Sequence, residues 1–173
     1  TLYLRESGAR RVGYIGWPSP SGTGDERRAG WEEACGFDLR DRQRYQIVTL
    51  DGVDEGVRSA RELLALDAPP DAIVCASDSL ALGARMAADA AGLLHLPLFR
   101  RRSAPGAAAV GLSSIDQPLD DVVAVALTQL FGPTGGTVRP NPDSNEEPTN
   151  RLLVPRLVER RSSHRALGET TGA

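Results

Sequence analysis

The sequence predicts an α/β fold, a parallel sheet flanked by helices, from three observations. The stretch Asp71 to Gly92, DAIVCASDSLALGARMAADAAG, opens with the unbroken apolar run Ala72-Ile73-Val74-Cys75-Ala76. Such a run suits a strand buried on both faces, the habit of parallel sheets. A polar turn, Ser77-Asp78-Ser79, then leads into an Ala-rich helical segment carrying Leu80, Leu82 and Met86, which Gly92 closes. Two earlier strand-then-helix passages with short connections complete a β-α-β-α-β-α order. Ligands of open α/β sheets bind at the carboxyl ends of the strands, so the polar turn is the first candidate site.

Composition sets the limits. A chain of 173 residues can form one ordinary domain with a real core, and 40% hydrophobic with 25% charged residues is the balance of a soluble globular protein. The formal charge of -3 gives no electrostatic reason to expect nucleic-acid binding by this chain itself. All 20 basic residues are arginine, which with abundant Ala, Gly and Pro points to a GC-rich coding genome and discounts arginine clusters as functional signals. Cys35 and Cys75 form no CxxC pair and the only histidines are His95 and His164, so neither a metal site nor a cofactor is expected. No apolar stretch has membrane-spanning length, and the first residues lack a signal peptide's pattern, so a cytoplasmic, reducing compartment is expected.

Taken in order, Thr1 to Gly8 reads as the last turns of a helix ending at glycine. Val12 to Trp17 is a strand stopped by Pro18, and Pro18 to Gly24 is a loop. Asp25 to Ala34 is the next helix, with Asp25 and Glu26 suited to the positive end of its dipole. Arg27 and Arg28 do not suit that end unless something anionic or hydroxyl-rich lies beyond the loop. Tyr45 to Leu50 reads as a strand and Val53 to Leu66 as an amphipathic helix, broken by Ala68-Pro69-Pro70 before the central strand. After Gly92 the pattern fails, because Arg100-Arg101-Arg102 stands where a fourth strand needs apolar residues. Order returns at Ser113-Ser114-Ile115, followed by an apolar helix over Pro118 to Phe131. Gly132 to Asn150 is a loop, Arg151 to Arg160 a strand interrupted by Pro155, and Ser162 to Ala173 a tail.

Four phrases in this order resemble the C-terminal part of the lactose repressor/galactose repressor (LacI/GalR) family of transcription regulators. They are GARRVGYIGWP, with Ala9 where the family usually has His; GDERRAGW; DAIVCASDSLALGA, with Ser77-Asp78 where Asn-Asp is commoner; and SSIDQPLDDVVAVAL. The resemblance implies a truncated periplasmic-binding-protein-like fold of type I, with an effector in the cleft between two lobes. Residues 1–8 would be the end of a helix from the missing N-terminal lobe, 9–112 the C-terminal lobe, and 113–131 the crossover strand and helix of the other lobe. A loop over 132–150, a final strand over 151–161 and a tail over 162–173 complete the division. The resemblance further implies a small, sugar-like effector, a homodimer, and operator DNA read by a helix-turn-helix headpiece that these residues do not contain. A transport receptor shares the fold and is the alternative.

Each candidate residue has a functional and a structural reading. Arg27 matches the family's effector-contacting arginine, four residues before Trp31; its guanidinium fork suits paired hydroxyls or a carboxylate, and a solvated surface arginine is the other reading. Asp78 either binds a ligand hydroxyl or caps its helix, a role that Ser77 can fill equally. Ser77 replaces an amide side chain, so its effector contact should be weaker or different. Trp17, at a strand's carboxyl end, can stack on a sugar's apolar face or pack in the core. Leu82 falls at the central apolar position of the helix that the family places at its dimer interface. Gly22-Thr23-Gly24 superficially matches a dinucleotide fingerprint, but the third glycine position is Arg27 and the loop is too long for the tight turn. An enzyme is not expected, since neither histidine has a Ser or Cys nucleophile nearby in the pattern. Finally, Leu94 to Ala109 lacks both the family's β-branched strand and its acidic pair, as a local reading-frame slip restored before Gly111 would leave it. The sheet is therefore expected to lose one strand and the pocket an acidic contact.

Overall fold

A computed structural model of the chain describes residues 1–100, 113–131 and 153–160. The chain divides into two compact units, one of Thr1–Ile115 with Leu157–Ala173 and one of Asp116–Arg156.

The first unit is built on a sheet with strand order β2-β1-β3-β4-β5-β6. Strand β1 (Val12–Gly16) is buried along its whole length and pairs in parallel with β2 (Gln46–Val48) and β3 (Ala72–Cys75). Its run of small and apolar residues, VGYIG, is what a strand covered on both faces requires. Helix α1 (Leu2–Glu6) precedes it and sinks Leu4 into the same core, and the chain leaves through Gly8 at φ 93°, a backbone conformation that favours glycine. Helix α2 (Thr23–Cys35) follows β1 and anchors through Trp31, 1% exposed, whose indole N–H donates to the Val12 carbonyl at 2.9 Å. Trp31 stacks on Tyr14 at 5.4 Å and meets the edge of Phe37 at 5.9 Å.

A short helix, α3 (Leu39–Tyr45), follows α2 and was not anticipated from the pattern. Its signal is capping rather than periodicity: the Asp38 carboxylate accepts the Asp41 amide at 2.8 Å. Because α3 ends at Tyr45, β2 begins one residue later than the alternation suggests. Helices α4 (Val53–Leu64) and α5 (Asp78–Ala90) pack against each other, with Gly56, Ser59, Ala60 and Leu63 buried on one and Leu80, Gly83, Ala84 and Ala87 on the other. Small residues on both facing stripes let the two backbones approach closely.

The expected loss of a strand is corrected. Strand β4 (Leu98–Arg100) lies between β3 and β5 (Ser113–Asp116), pairing Ile73 with Leu98, Val74 with Phe99 and Phe99 with Ser113. Backbone pairing needs no β-branched side chain, and Leu98, fully buried, supplies the apolar anchor. The strand is three residues long, and Arg101, Arg102 and the acidic contact expected to be lost lie outside the described residues. Strand β6 (Arg156–Val158) follows Pro155 at the far end of the sheet order, the edge location that the proline predicts. Ser113 is buried and exchanges hydrogen bonds with Arg160, its hydroxyl donating to the carbonyl at 3.0 Å and accepting the amide at 2.8 Å.

The second unit contributes helix α6 (Leu119–Phe131), in which no residue is buried. Leu119, Val122, Val123, Leu127, Leu130 and Phe131 are exposed. The division between units at residues 115 and 116 falls inside the segment 113–131 that the resemblance treats as one crossover.

Candidate functional site

The carboxyl ends of β1, β2 and β3 lie side by side. The Thr49 amide donates to the Gly16 carbonyl at 2.8 Å, and the Ala76 amide donates to the Ile15 carbonyl at 2.8 Å. Three loops therefore meet at one edge: Trp17 to Gly22 after β1, Thr49 to Gly52 after β2, and Ala76-Ser77 after β3. This is the edge at which an open parallel sheet offers unpaired backbone groups and helix N-termini to a ligand.

Arg27, in the second turn of α2, crosses to the third loop and donates through Nη1 to the Ala76 carbonyl. Its guanidinium lies over the Trp17 ring, 5.1 Å from the centroid. The indole in turn backs against α2, where a side-chain carbon at Gly24 would come within 3.0 Å of the Trp17 ring. Trp17 thus carries Arg27 on one face, a contact neither of its sequence readings foresaw. Arg27 and Trp17 are both partly exposed. The structural reading of Arg27 as a solvated surface residue does not describe this arrangement.

Arg28 behaves differently from its neighbour. It pairs with Asp25 at 2.8 Å, bonds the Ser19 hydroxyl at 2.8 Å and reaches Glu32 at 4.0 Å. Asp25 also accepts the Ser19 hydroxyl and, at 2.8 Å, the Ser21 amide, so one carboxylate shapes the loop after β1. These hydrogen bonds, the one from Ser19 foremost, hold the Asp25 carboxyl below the ordinary carboxylate range. The misplaced arginine of the sequence is satisfied by its own helix and loop.

At the third loop Ser77, not Asp78, is the N-cap of α5, its hydroxyl oxygen accepting the Leu80 amide at 3.2 Å. Asp78 is the first residue of the helix, so capping no longer accounts for it. The Ser77 hydroxyl proton goes to Asp51, in the loop after β2. Asp51 is a site residue that the sequence reading missed. Its signal was an Asp-Gly pair at a strand's carboxyl end, just before α4, which reads as ordinary turn chemistry. Leu82 lies away from this edge, on the outer face of α5, 37% exposed, one turn before Met86 at 52%. Neither thiol is poised for chemistry: burial pushes Cys35 up to about 11 and raises Cys75 further. Among the described residues no cluster of His, Cys, Asp and Glu forms a metal site, and no helix is long and apolar enough to cross a membrane.

A sheet of this order, with an arginine and a capped helix turn at its carboxyl edge, defines an α/β domain of the parallel-sheet kind, and comparison with known proteins places it. The chain belongs to the periplasmic binding protein-like domain family, whose profile matches residues 1–163. Its sequence relatives include the HTH-type transcriptional repressor PurR of Shigella dysenteriae, 31% identical over 166 residues, which cover 92% of this chain and 47% of the repressor. The repressor of the same name from Escherichia fergusonii is 32% identical over the same shares. Among solved structures, a LacI-family regulatory protein from Chloroflexus aggregans superposes with a TM-score of 0.74 at 25% identity, covering 94% of this chain and 58% of that one. The transcription regulator CcpA of Lactococcus lactis gives 0.70 at 22% identity, covering 94% and 59%. The chain spans about half the length of the relatives it matches. The resemblance to the effector-binding part of LacI/GalR regulators is borne out by these relatives, which are transcriptional regulators.

Proposed function

We propose that this chain is the effector-sensing part of a bacterial, cytoplasmic transcription regulator of the LacI/GalR type, and that a small, sugar-like molecule binds at the carboxyl edge of β1–β3. The observation that carries the reading is the convergence of Arg27, Trp17 and Ser77 on one sheet edge, the three residues being 10, 60 and 50 apart in sequence. Arg27 is assigned to the ligand, Ser77 and Asp78 to hydroxyl contacts at the α5 N-terminus, and Trp17 to the wall that supports Arg27. Residues 9–112 form the lobe that holds this edge, and 113–131 lead to the opposing lobe. Binding favours one arrangement of lobes, and the differential affinity for that arrangement is what changes operator occupancy. Operator contact belongs to a helix-turn-helix headpiece outside these residues, and Leu82 on α5 belongs to a homodimer interface. The kinship with named repressors supports this reading over a transport receptor.

The test is a ligand panel on the full-length gene product. Pentoses, hexoses and their common derivatives are screened by thermal shift, and any that stabilise are tested for a change in operator affinity by gel shift. One ligand that does both, with both effects lost in Arg27→Ala, is expected. A stabilising ligand whose effect survives Arg27→Ala would refute the site, and a panel without any operator response would refute the regulator reading.

A further inference from the structure

We propose that Asp51 is a positioning residue: by taking the Ser77 hydroxyl proton it leaves the side chains where the loops after β2 and β3 meet with acceptors alone, so that this corner selects a donating group, a hydroxyl or an amine, on the small molecule. The inference deepens the effector reading and rests on it. Its first support is the account of the Ser77 hydroxyl. A serine hydroxyl has one proton to donate and two lone pairs with which to accept. The proton goes to Asp51 Oδ1, and one lone pair receives the Leu80 amide at 3.2 Å. One lone pair is left, and no donor. An amide side chain in the same place would offer both, and a serine without Asp51 could turn its proton toward a ligand. The aspartate therefore decides what Ser77 offers.

The second support is Asp51 itself. It is exposed, and among the described residues its side chain has no partner beyond the Ser77 hydroxyl. A carboxylate only accepts, so its second oxygen adds a further acceptor. The meeting is enforced by the sheet: β1 lies between β2 and β3 in the strand order, and the Asp51–Ser77 bond joins the two loops that flank it. The third support is the sign of the surrounding charge. Asp54 and Glu55 occupy the first turn of α4, and Asp78 that of α5. Glu55 is closed by Arg58 at 2.7 Å, and Arg27 bonds the Ala76 carbonyl one residue before Ser77. With Asp51 included, the carboxylates outnumber the guanidiniums. The corner therefore disfavours an anion and favours a group that donates.

The first measurement needs no ligand. In the nitrogen-15 spectrum of the 173-residue chain, Ser77→Ala should shift the Leu80 amide signal. Asp51→Ala should shift it in the same direction, because a hydroxyl that donates to a carboxylate is the stronger acceptor. The Ala84 amide, one turn further along α5, should stay still. The second measurement is selectivity in the full-length gene product. The probes are D-ribose, D-glucose and D-galactose, their single-position deoxy-fluoro analogues, which keep the outline and lose one donor, and D-glucosamine. For a sugar that binds, fluorination at one position is expected to weaken binding about tenfold, the loss of a hydrogen bond to a charged acceptor. In Asp51→Ala and in Ser77→Asn that penalty should fall to about threefold or less, since a side chain there is then free to donate. A purely structural Asp51 would weaken every analogue together and leave the ratio unchanged. Glucosamine binding more tightly than glucose marks an amine as the donor, and the reverse marks a hydroxyl. A Leu80 signal unmoved in Asp51→Ala, a parent without a fluorine penalty, or a penalty that survives Asp51→Ala overturns the proposal and leaves the effector reading standing. If none of these sugars binds the parent, the effector reading falls and the proposal with it.

Discussion

Replacing Gly83 with alanine should destabilise this protein, although alanine is the better helix former. In a helix interior the exchange is worth about 1 kcal/mol in alanine's favour. At Gly83, however, the added carbon would stand 2.7 Å from the Val57 nitrogen and 2.9 Å from the Gly56 carbonyl carbon, and closer still to the Val53 carbonyl oxygen. Every one of these atoms is α4 backbone, so no side chain can turn aside and α4 and α5 must separate. Overpacking of this kind costs about 1–3 kcal/mol, and here the upper end applies because the gap opened also loosens Ala60 and Leu63 against the sheet. The net expectation is a loss of about 2 kcal/mol, a large part of the roughly 5–15 kcal/mol that holds a domain together. Gly30 supplies the control. It lies inside α2, exposed, with nothing within 4 Å of the added carbon, so Gly30→Ala should gain about 0.5–1 kcal/mol. Urea unfolding followed by circular dichroism gives both values from midpoint and slope. A Gly83→Ala variant as stable as its parent, or two glycine variants shifted in the same direction, would refute the claim that backbone contact sets the α4–α5 distance.

Trp31→Phe should cost about 1–3 kcal/mol in the same assay, since it strands the buried Val12 carbonyl that the indole serves; a change near zero would mean that water or another donor replaces it. The thiols should be inert in the native state, because at pH 8 a group raised to about 11 by burial is thiolate in only about one molecule in a thousand; rapid stoichiometric labelling of Cys35 by Ellman's reagent would contradict this. The hydrogen bonds from Ser19 and Ser21 hold the Asp25 carboxyl below the ordinary carboxylate range, so its contribution is present above that range and is lost as the pH falls through the depressed value; Asp25→Asn should therefore flatten the acid limb of stability, and an unchanged limb below pH 4 would argue that the loop does not depend on the charge. Leu82→Glu should shift any dimer toward monomer in sedimentation, and an unchanged mass would count against the outer face of α5 as the interface.

The parts of this structure that were legible in the sequence are those whose cause is local. The apolar run over Ala72–Cys75 suits a buried strand, and the polar turn with its following alanines suits the opening of a helix, so β3 and α5 were readable from adjacent residues. Helix α3 was missed because LRDRQRY carries no apolar stripe and only Tyr45 of it is buried; it forms around a cap and its packing on β1 and β2. Strand β4 was misjudged for the opposite reason. Three consecutive arginines argue against a buried strand by their side chains, whereas the described pairing, up to Arg100, is made by the backbone, and one leucine suffices as the anchor.

The site itself divides along the same line. Whereas the family resemblance set Arg27 apart from Arg28, Ser77 and Asp78 were nameable because each sits at a helix's first turn, where residue type announces chemistry. What those residues do was not, since it depends on partners far along the chain: Arg27 reaches Ala76 across 49 positions, and Ser77 reaches Asp51 across 26. The parallel sheet makes these meetings unavoidable. Each strand must return to the same end before its helix begins, so every loop after β1, β2 and β3 is delivered to one edge whatever its sequence. The fold decides that these loops meet, and the side chains decide what the meeting offers. Here they bring together a guanidinium oriented by an indole and a carbonyl, and a capping serine tied to an aspartate of the neighbouring loop.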